Sequence, residues 1–350
     1  MKSRFIAALL LAALLGACAP AGRSFKGPCS AVTEQTCTLA ASLGRGINLG
    51  NMLDAPREGD WGVKLEPAYI ELATDAFDTV RLPVRWSNHA APTADATLNE
   101  AFARRVDGIV DALLARDVNV ILNVHHYTQI MGGEPGNNEF AVDPAVVDER
   151  LVNIWRQLAL RYRDRSPRLL FELLNEPQAR LDGEPWNQLA EKTLRAVRES
   201  NSTRAVLIGP GYWNNPRHLA RLRLPPDQNL IVAIHSYEPF PFTHQGLDHT
   251  KHRYPAGPTC CSAEQRQEII EPLELAHRWS REHGHPLHLG EFGASIAADL
   301  ASREAYTRLV RDEAEKRGIG WAYWDFAADF GVYSPEAGGW IEPVRRALLD

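Results

Sequence analysis

Eight short apolar runs, each followed by a longer stretch of mixed polarity, set the tightest limit on what this chain can fold into. They are Gly46–Gly50, Thr79–Val84, Val118–Val124, Leu169–Leu174, Ala205–Ile208, Leu230–Ile234, Pro286–Leu289 and Ile319–Trp324. Runs this short, without polar alternation, suit strands covered on both faces, as in a parallel sheet. Between them the period changes. Glu100–Ala115 places Phe102, Val106, Ile109, Val110, Leu113 and Leu114 on one helical stripe, and Val146–Tyr162 repeats the pattern with Leu151, Ile154, Trp155, Leu158 and Tyr162. Gln265–His283 and Arg303–Lys316 do the same near the end. This alternation predicts an α/β fold, a single (β/α)8 TIM barrel. A doubly wound sheet is the competitor, but no Gly-x-Gly-x-x-Gly follows the first run.

The amino-terminal segment reads as an address. Lys2 and Arg4 precede an apolar run from Phe5 to Leu15, and small residues follow, as in a secretory signal. The run is about half the roughly 20 residues that a membrane span requires. Leu15-Gly16-Ala17-Cys18 resembles a bacterial lipoprotein processing box. That resemblance implies removal of residues 1–17, acylation of Cys18, and a chain exported to the cell envelope and held on a membrane by lipid alone. Residues 18–40 read as a tether ahead of one domain spanning 41–350. Setting Cys18 aside leaves Cys29, Cys37, Cys260 and Cys261, an even number that suits an oxidising compartment. Three pairings are open. A Cys29–Cys37 bond is one possibility. The adjacent Cys260 and Cys261 are expected to reach separate partners, because Cα atoms about 3.8 Å apart are too close for a relaxed disulfide.

Lys and Arg number 38 against 44 Asp and Glu, a formal charge of −6. Without a basic stripe the chain has no means of holding nucleic acid, and a neutral substrate fits better. Polar residues instead gather where strands end: Asn48 to Asn51, Asn123 to Tyr127, Asn175-Glu176-Pro177, His235-Ser236-Tyr237 and Gly290 to Gly293. In a (β/α)8 barrel these ends share one rim, where chemistry sits. Glu176 and Glu291 each close an apolar strand, and two carboxylates across a pocket are what glycosidic bond cleavage needs. Arg81, inside the second strand, demands a carboxylate partner. Beside Glu291 it would lower that carboxyl and keep it ionised; the alternative is an ion pair with Glu172, which lies deeper. Arg85 reads as a rim or surface residue. No metal or other cofactor is called for, because His125-His126 are strand neighbours pointing to opposite sides and no His-Glu-x-x-His occurs.

Taken in order, Arg-x-Pro at Arg81, His125-His126, Leu174-Asn175-Glu176-Pro177, His235-x-Tyr237 and Gly290-Glu291-Phe292-Gly293 resemble glycoside hydrolase family 5. The likeness runs from about Leu43 to the end. Gly44 to Asn51, Gly59-Asp60-Trp61-Gly62 and Phe242 to Gly246 look particularly like bacterial endoglucanases of that family. The resemblance implies a retaining endo-β-1,4-glucanase with Glu176 as general acid/base and Glu291 as nucleophile. It also implies that Asn175 bonds the sugar 2-hydroxyl, Tyr237 contacts the nucleophile, His235 orients the acid/base region and Trp324 floors the reacting sugar. Asn51, His125 and His126 would line the glycone side. A β-mannanase or mixed-linkage glucanase is the alternative within the class, and a non-catalytic glycan-binding lipoprotein the alternative outside it. A monomer is expected, its partner a β-linked polysaccharide. One departure bears on substrate preference: Leu247-Asp248-His249-Thr250 stands where related enzymes often carry a tryptophan-bearing loop.

Overall fold

A computed structural model describes residues 25–135, 139–248 and 252–350. The signal, Cys18 and His249 lie outside the described residues. Eight parallel strands close into a barrel in sequence order: β1 Arg45–Asn48, β2 Thr79–Leu82, β3 Asn119–Asn123, β4 Leu169–Glu172, β5 Val206–Ile208, β6 Leu230–His235, β7 Leu287–Glu291 and β8 Gly320–Tyr323. Every residue of these strands is buried, which is why their sequences show no polar alternation. The first expected run ends earlier than expected, at Asn48, because the chain turns at Gly50 and Asn51 to form the rim.

Helices Pro67–Ala76, Glu100–Leu114, Val147–Tyr162, Glu184–Arg198, Ala263–His283, Leu300–Lys316 and Glu342–Leu349 cover the barrel. The fifth unit departs from the pattern: after β5 the chain makes only a short turn at Gly211–Asn214 and a 3-10 helix at Pro216–Arg221. Side chains such as Leu151, Ile154, Trp155 and Leu158 fill the layer between helices and sheet. Burying each stabilises the fold by roughly 1.5–3 kcal/mol.

The expected tether is, from Phe25 onward, part of the folded body. Phe25 is buried, and a helix at Glu34–Ser42 is capped by the Thr33 hydroxyl, which accepts from the Thr36 N–H at 3.2 Å. Ala40 and Leu43 pack on Ile121, Leu170, Leu207, Ile231 and Ala233, closing the barrel's lower end. The polar composition of this segment hid a small apolar plug. Cys29–Cys37 staples the helix, with Cα atoms 5.6 Å apart. Cys260 and Cys261 bond to one another rather than to separate partners. Their Cα atoms lie 3.1 Å apart, not at the separation on which the expectation was built.

Candidate active site

Just above the floor, the barrel carries an ionic layer. Arg81 is completely buried, and its five N–H donors are all used. Nε and Nη2 reach Glu172 at 2.7 and 2.9 Å, Nη1 reaches Asn48 at 2.8 Å and Glu291 at 2.7 Å, and Nη2 also reaches Asn175 at 2.8 Å. Both sequence alternatives for Arg81 are therefore realised at once, by different edges of one guanidinium. Burial opposes ionisation of Glu172, but Arg81 outweighs it and holds that carboxyl below its ordinary range.

Above this layer the two candidate carboxylates converge. Glu291 ends β7, where it accepts from Arg81 on Oε1 and from the Tyr237 hydroxyl on Oε2 at 2.8 Å. Glu176 lies beyond β4 with a left-handed backbone, φ 50°, an uncommon conformation for a residue with a side chain and one that collects at functional sites. Its Oε1 is 2.8 Å from Nδ1 of His235, whose Nε2 faces the Asn214 amide at 3.4 Å. Each glutamate places a carboxylate oxygen within 4.8 Å of the other's.

The environments of the two differ. Glu176 is a quarter exposed, yet surrounding protein removes enough water to push its carboxyl up to about 8. Glu291 is also raised by burial, which corrects the expectation of a lowered value. His235 and Arg81 pull it back, and Tyr237 adds to them. His235 is driven down to about 4 by burial and stands as a neutral donor.

Asn175 gives its carbonyl to Arg81 and lines the cavity, so its amide is left for a ligand. Trp324 lines the same cavity and stacks on His125, 5.3 Å between centroids and 4° from parallel. Trp321 and Tyr323, of opposite parity, are buried in the core. His125 and His126 both face the cavity. Strand alternation does not separate them because β3 ends at Asn123, before either. Asn51, at φ 63°, lines the cavity and donates to Asp325 at 2.8 Å. The cavity measures about 780 Å³.

Among the described residues, two groups bring metal-type donors within 4.8 Å of one another: Asp54–His125–His126 and Glu176–His235–Glu291. Neither offers a suitable donor set. The Asn123 carbonyl accepts from the Val84 N–H at 3.2 Å, so its amide donates to Nδ1 of His125 at 3.0 Å. Nε2 of His125 then carries the hydrogen and cannot ligate. In the second group the donor atoms are engaged by Arg81, Tyr237 and one another.

Sequence reasoning gave no role to two residues here, Asn48 and Asp325. Asn48 donates to the Gly290, Ala322 and Tyr323 carbonyls at 2.9–3.2 Å, tying three strands together. Its inward parity, level with Arg81 in register, was the available signal. Asp325 anchors Asn51, with burial raising its carboxyl to about 7. Arg85, read as a rim or surface residue, is the former: it lines the cavity with Trp61 and is buried there. Asp54 is fully buried behind His126, 3.7 Å from Nε2.

A closed (β/α)8 barrel holding two facing carboxylates of unlike surroundings over one cleft defines a glycoside-cleaving class of centre. The family described as Cellulase (glycosyl hydrolase family 5) matches residues 44–329, and the chain belongs to it. Endoglucanase H of Acetivibrio thermocellus is 34% identical over 319 residues, covering 89% of this chain and 33% of that protein. Cellulase/esterase CelE of the same organism is 30% identical over 322 residues, with 85% and 36% covered. The chain thus spans about a third of the length of these curated relatives. Among solved structures, Thermotoga maritima Cel5A in complex with cellobiose superposes with a TM-score of 0.83 at 37% identity, covering 89% of this chain and 99% of that one. A hyperthermophilic endo-β-1,4-glucanase in complex with substrate gives 0.84 at 36%, covering 89% and 98%.

Proposed function

We propose that the chain is a retaining endo-β-1,4-glucanase, with Glu176 as acid/base and Glu291 as nucleophile. The observation that carries this is the closeness of two glutamates with different partners. Oxygens within 4.8 Å suit the roughly 5–5.5 Å carboxyl separation of double displacement, not the wider gap that admits a water between. Relatives and solved neighbours named for endo-β-1,4-glucanase activity support glucan as the substrate.

In the first step a Glu291 oxygen forms a bond to the anomeric carbon while the glycosidic C–O bond breaks. Glu176, protonated up to about pH 8, gives its proton to the departing oxygen, which leaves as an alcohol. In the second step Glu176, now ionised, takes a proton from water as that oxygen attacks the same carbon. The ester bond breaks and Glu291 regains its carboxylate. Two inversions leave a β product. Tyr237 and Arg81 hold Glu291 for in-line approach, Asn175 bonds the sugar 2-hydroxyl as positive charge develops, and Trp324 supports the ring. Asn51, His125 and His126 form the glycone wall. All these groups come from one chain, which supports a working monomer.

Glu176→Ala with an aryl cellobioside and azide tests the roles: the expected product is the β-configured glycosyl azide. An α-configured azide, or full activity without azide, would remove the assignment. We also propose export as a lipoprotein acylated at Cys18. Cysteines paired as Cys29–Cys37 and Cys260–Cys261 support an oxidising compartment. Metabolic palmitate labelling that persists in Cys18→Ala would overturn it.

A further inference from the structure

The chain enters the folded body at the end of the barrel opposite the cleft. Phe25 is buried, lining a hollow with Gly44, Arg45, Asp78 and Leu349 beside the starts of β1 and β2. Lys26 lies against Gly318, just before β8, where an added Cβ would sit 2.8 Å from the Lys26 carbonyl. The Ala31 N–H donates to the Gly284 carbonyl at 3.0 Å, and the Thr33 N–H to the Gln228 carbonyl at 2.9 Å. The Thr36 hydroxyl donates to Oδ1 of Asn229 at 3.0 Å. Gln228 and Asn229 precede β6, and Gly284 precedes β7. One segment is thus fastened across the starts of several strands, and Cys29–Cys37 closes it on itself. The cleft, with Asn51, His125, Glu176 and Trp324, lies beyond the other ends of the strands.

Fastening from Phe25 onward limits how the domain can stand above an anchor at Cys18. Phe25 is seven positions after Cys18, and a chain of that length, fully extended, reaches at most about 25 Å. Were the segment free as far as Leu43, the reach would be about 90 Å. A folded domain of roughly 325 residues has a radius of gyration of about 20 Å and is about 50 Å across. Turning the cleft to face the bilayer would lift Phe25 by about that width, twice what the short leash allows. The longer leash would permit every orientation.

We propose that the fastened segment from Phe25 to Leu43 is an orienting device: it keeps the lower end of the barrel toward the lipid surface and the cleft toward the aqueous side. The partner of the lower end is the headgroup layer of the membrane that carries the acylated cysteine. This inference rests on the lipoprotein reading of Cys18. It also narrows the substrate. Glucan arriving through solution enters the cleft, whereas a glycan joined by a short stem to the same membrane stays out of reach. The disulfide and the apolar plug touch no part of the cleft; each acts by keeping the leash short.

The test uses the acylated full chain in phosphatidylcholine vesicles that carry a rhodamine-headgroup lipid, diluted so that vesicles do not touch. A donor dye is placed on Arg168→Cys, exposed just before β4, or on Glu134→Cys, exposed beside the cavity-lining Gly133, with melting curves to confirm folding. Energy transfer to the lipid should be about twofold or more stronger from Arg168→Cys. A spacer of about 60 Gly/Ser residues after Arg23, with a reach of about 45 Å, should bring the two signals together. The spacer should also allow cleavage of a lipid-linked cello-oligosaccharide that the unspaced chain spares, with kcat/KM on the soluble oligosaccharide the same for both. Equal transfer from the two positions without the spacer overturns the orientation, as does cleavage of the lipid-linked substrate by the unspaced chain at the spacer variant's rate. A difference in transfer that survives the spacer overturns the leash as its cause. Palmitate labelling that persists in Cys18→Ala overturns the lipoprotein reading instead, so the two failures are distinct.

Discussion

Replacing Arg81 by Met separates what this side chain does for the fold from what it does for the chemistry. Glu172 is 1% exposed and takes two Arg81 donors. Removing them strands a buried carboxylate, at a cost of about 3–5 kcal/mol. Against a total stability of about 5–15 kcal/mol, the variant should fold but unfold early in urea. The chemical loss has a different origin. Glu291 forfeits a charge-assisted bond of 2.7 Å and Asn175 its anchor of 2.8 Å. At about 1.5–3 kcal/mol for a bond to a charged group, kcat/KM should drop by roughly 10- to 150-fold for the Glu291 contact alone. Arg81 is among the groups lowering Glu291, so its loss raises that carboxyl and moves the acid limb of kcat/KM to higher pH. Adding Glu172→Leu removes the stranded charge. Arg81→Met/Glu172→Leu should regain most of the urea midpoint while activity stays low. A double variant that recovers both, or a single variant with an unchanged midpoint, refutes the reasoning.

Three further outcomes follow from the same geometry. The kcat/KM profile should be bell-shaped, its descending limb near pH 8 where Glu176 gives up its proton and its ascending limb above 4.5, set by Glu291; a descending limb unmoved by Glu176→Gln in the residual activity would contradict the assignment. Because the folded value of Glu176 is raised, its burial penalises the fold as pH climbs from 4.5 to about 8. Glu176→Gln should therefore gain stability relative to wild type at pH 9 and not at pH 4, as read by thermal melts. Cys29→Ser/Cys37→Ser should lower stability by about 2–3 kcal/mol, as expected for a short closed loop, leaving kcat unchanged, since the staple lies at the barrel's lower end; a loss of kcat with no loss of stability would overturn that placement.

The barrel was legible because strands buried on both faces cannot hide their composition: each of the eight apolar runs is a strand. The facing pair of glutamates was legible for a related reason, since a glutamate after such a run has only the rim to occupy. What escaped depended on side-chain depth and company. The plug from Phe25 to Leu43 escaped because Ala40 and Leu43 are few and sit among polar neighbours. The burial of Arg85 escaped because sequence shows a cation but not how far protein covers it. The pairing of Cys260 with Cys261 escaped because peptide geometry is not written in residue identity. The Glu291 direction was misjudged because the sequence shows the cation beside it but not how completely burial strips its water.

That shared guanidinium explains how two glutamates of the same type acquire opposite work. Arg81 brings one positive charge to three carboxylates, and Glu172 takes the larger share through two bonds in the most buried position. The remainder goes to Glu291, reinforced by the Tyr237 hydroxyl. Glu176 feels Arg81 only through space; its hydrogen-bond partner is a neutral imidazole, in a cleft that excludes much of the water. With so little compensation the pair ionises one member at a time, and the better-bonded one goes first. A proton held on Glu176 beside an ionised Glu291 is the state that the proposed first step requires. On the proposed mechanism, forming the glycosyl ester removes a neighbouring negative charge from beside Glu176, which eases its ionisation and suits it to serve as the base of the second step. The order of events is set by how deep each carboxylate sits and by how many donors of Arg81 it receives.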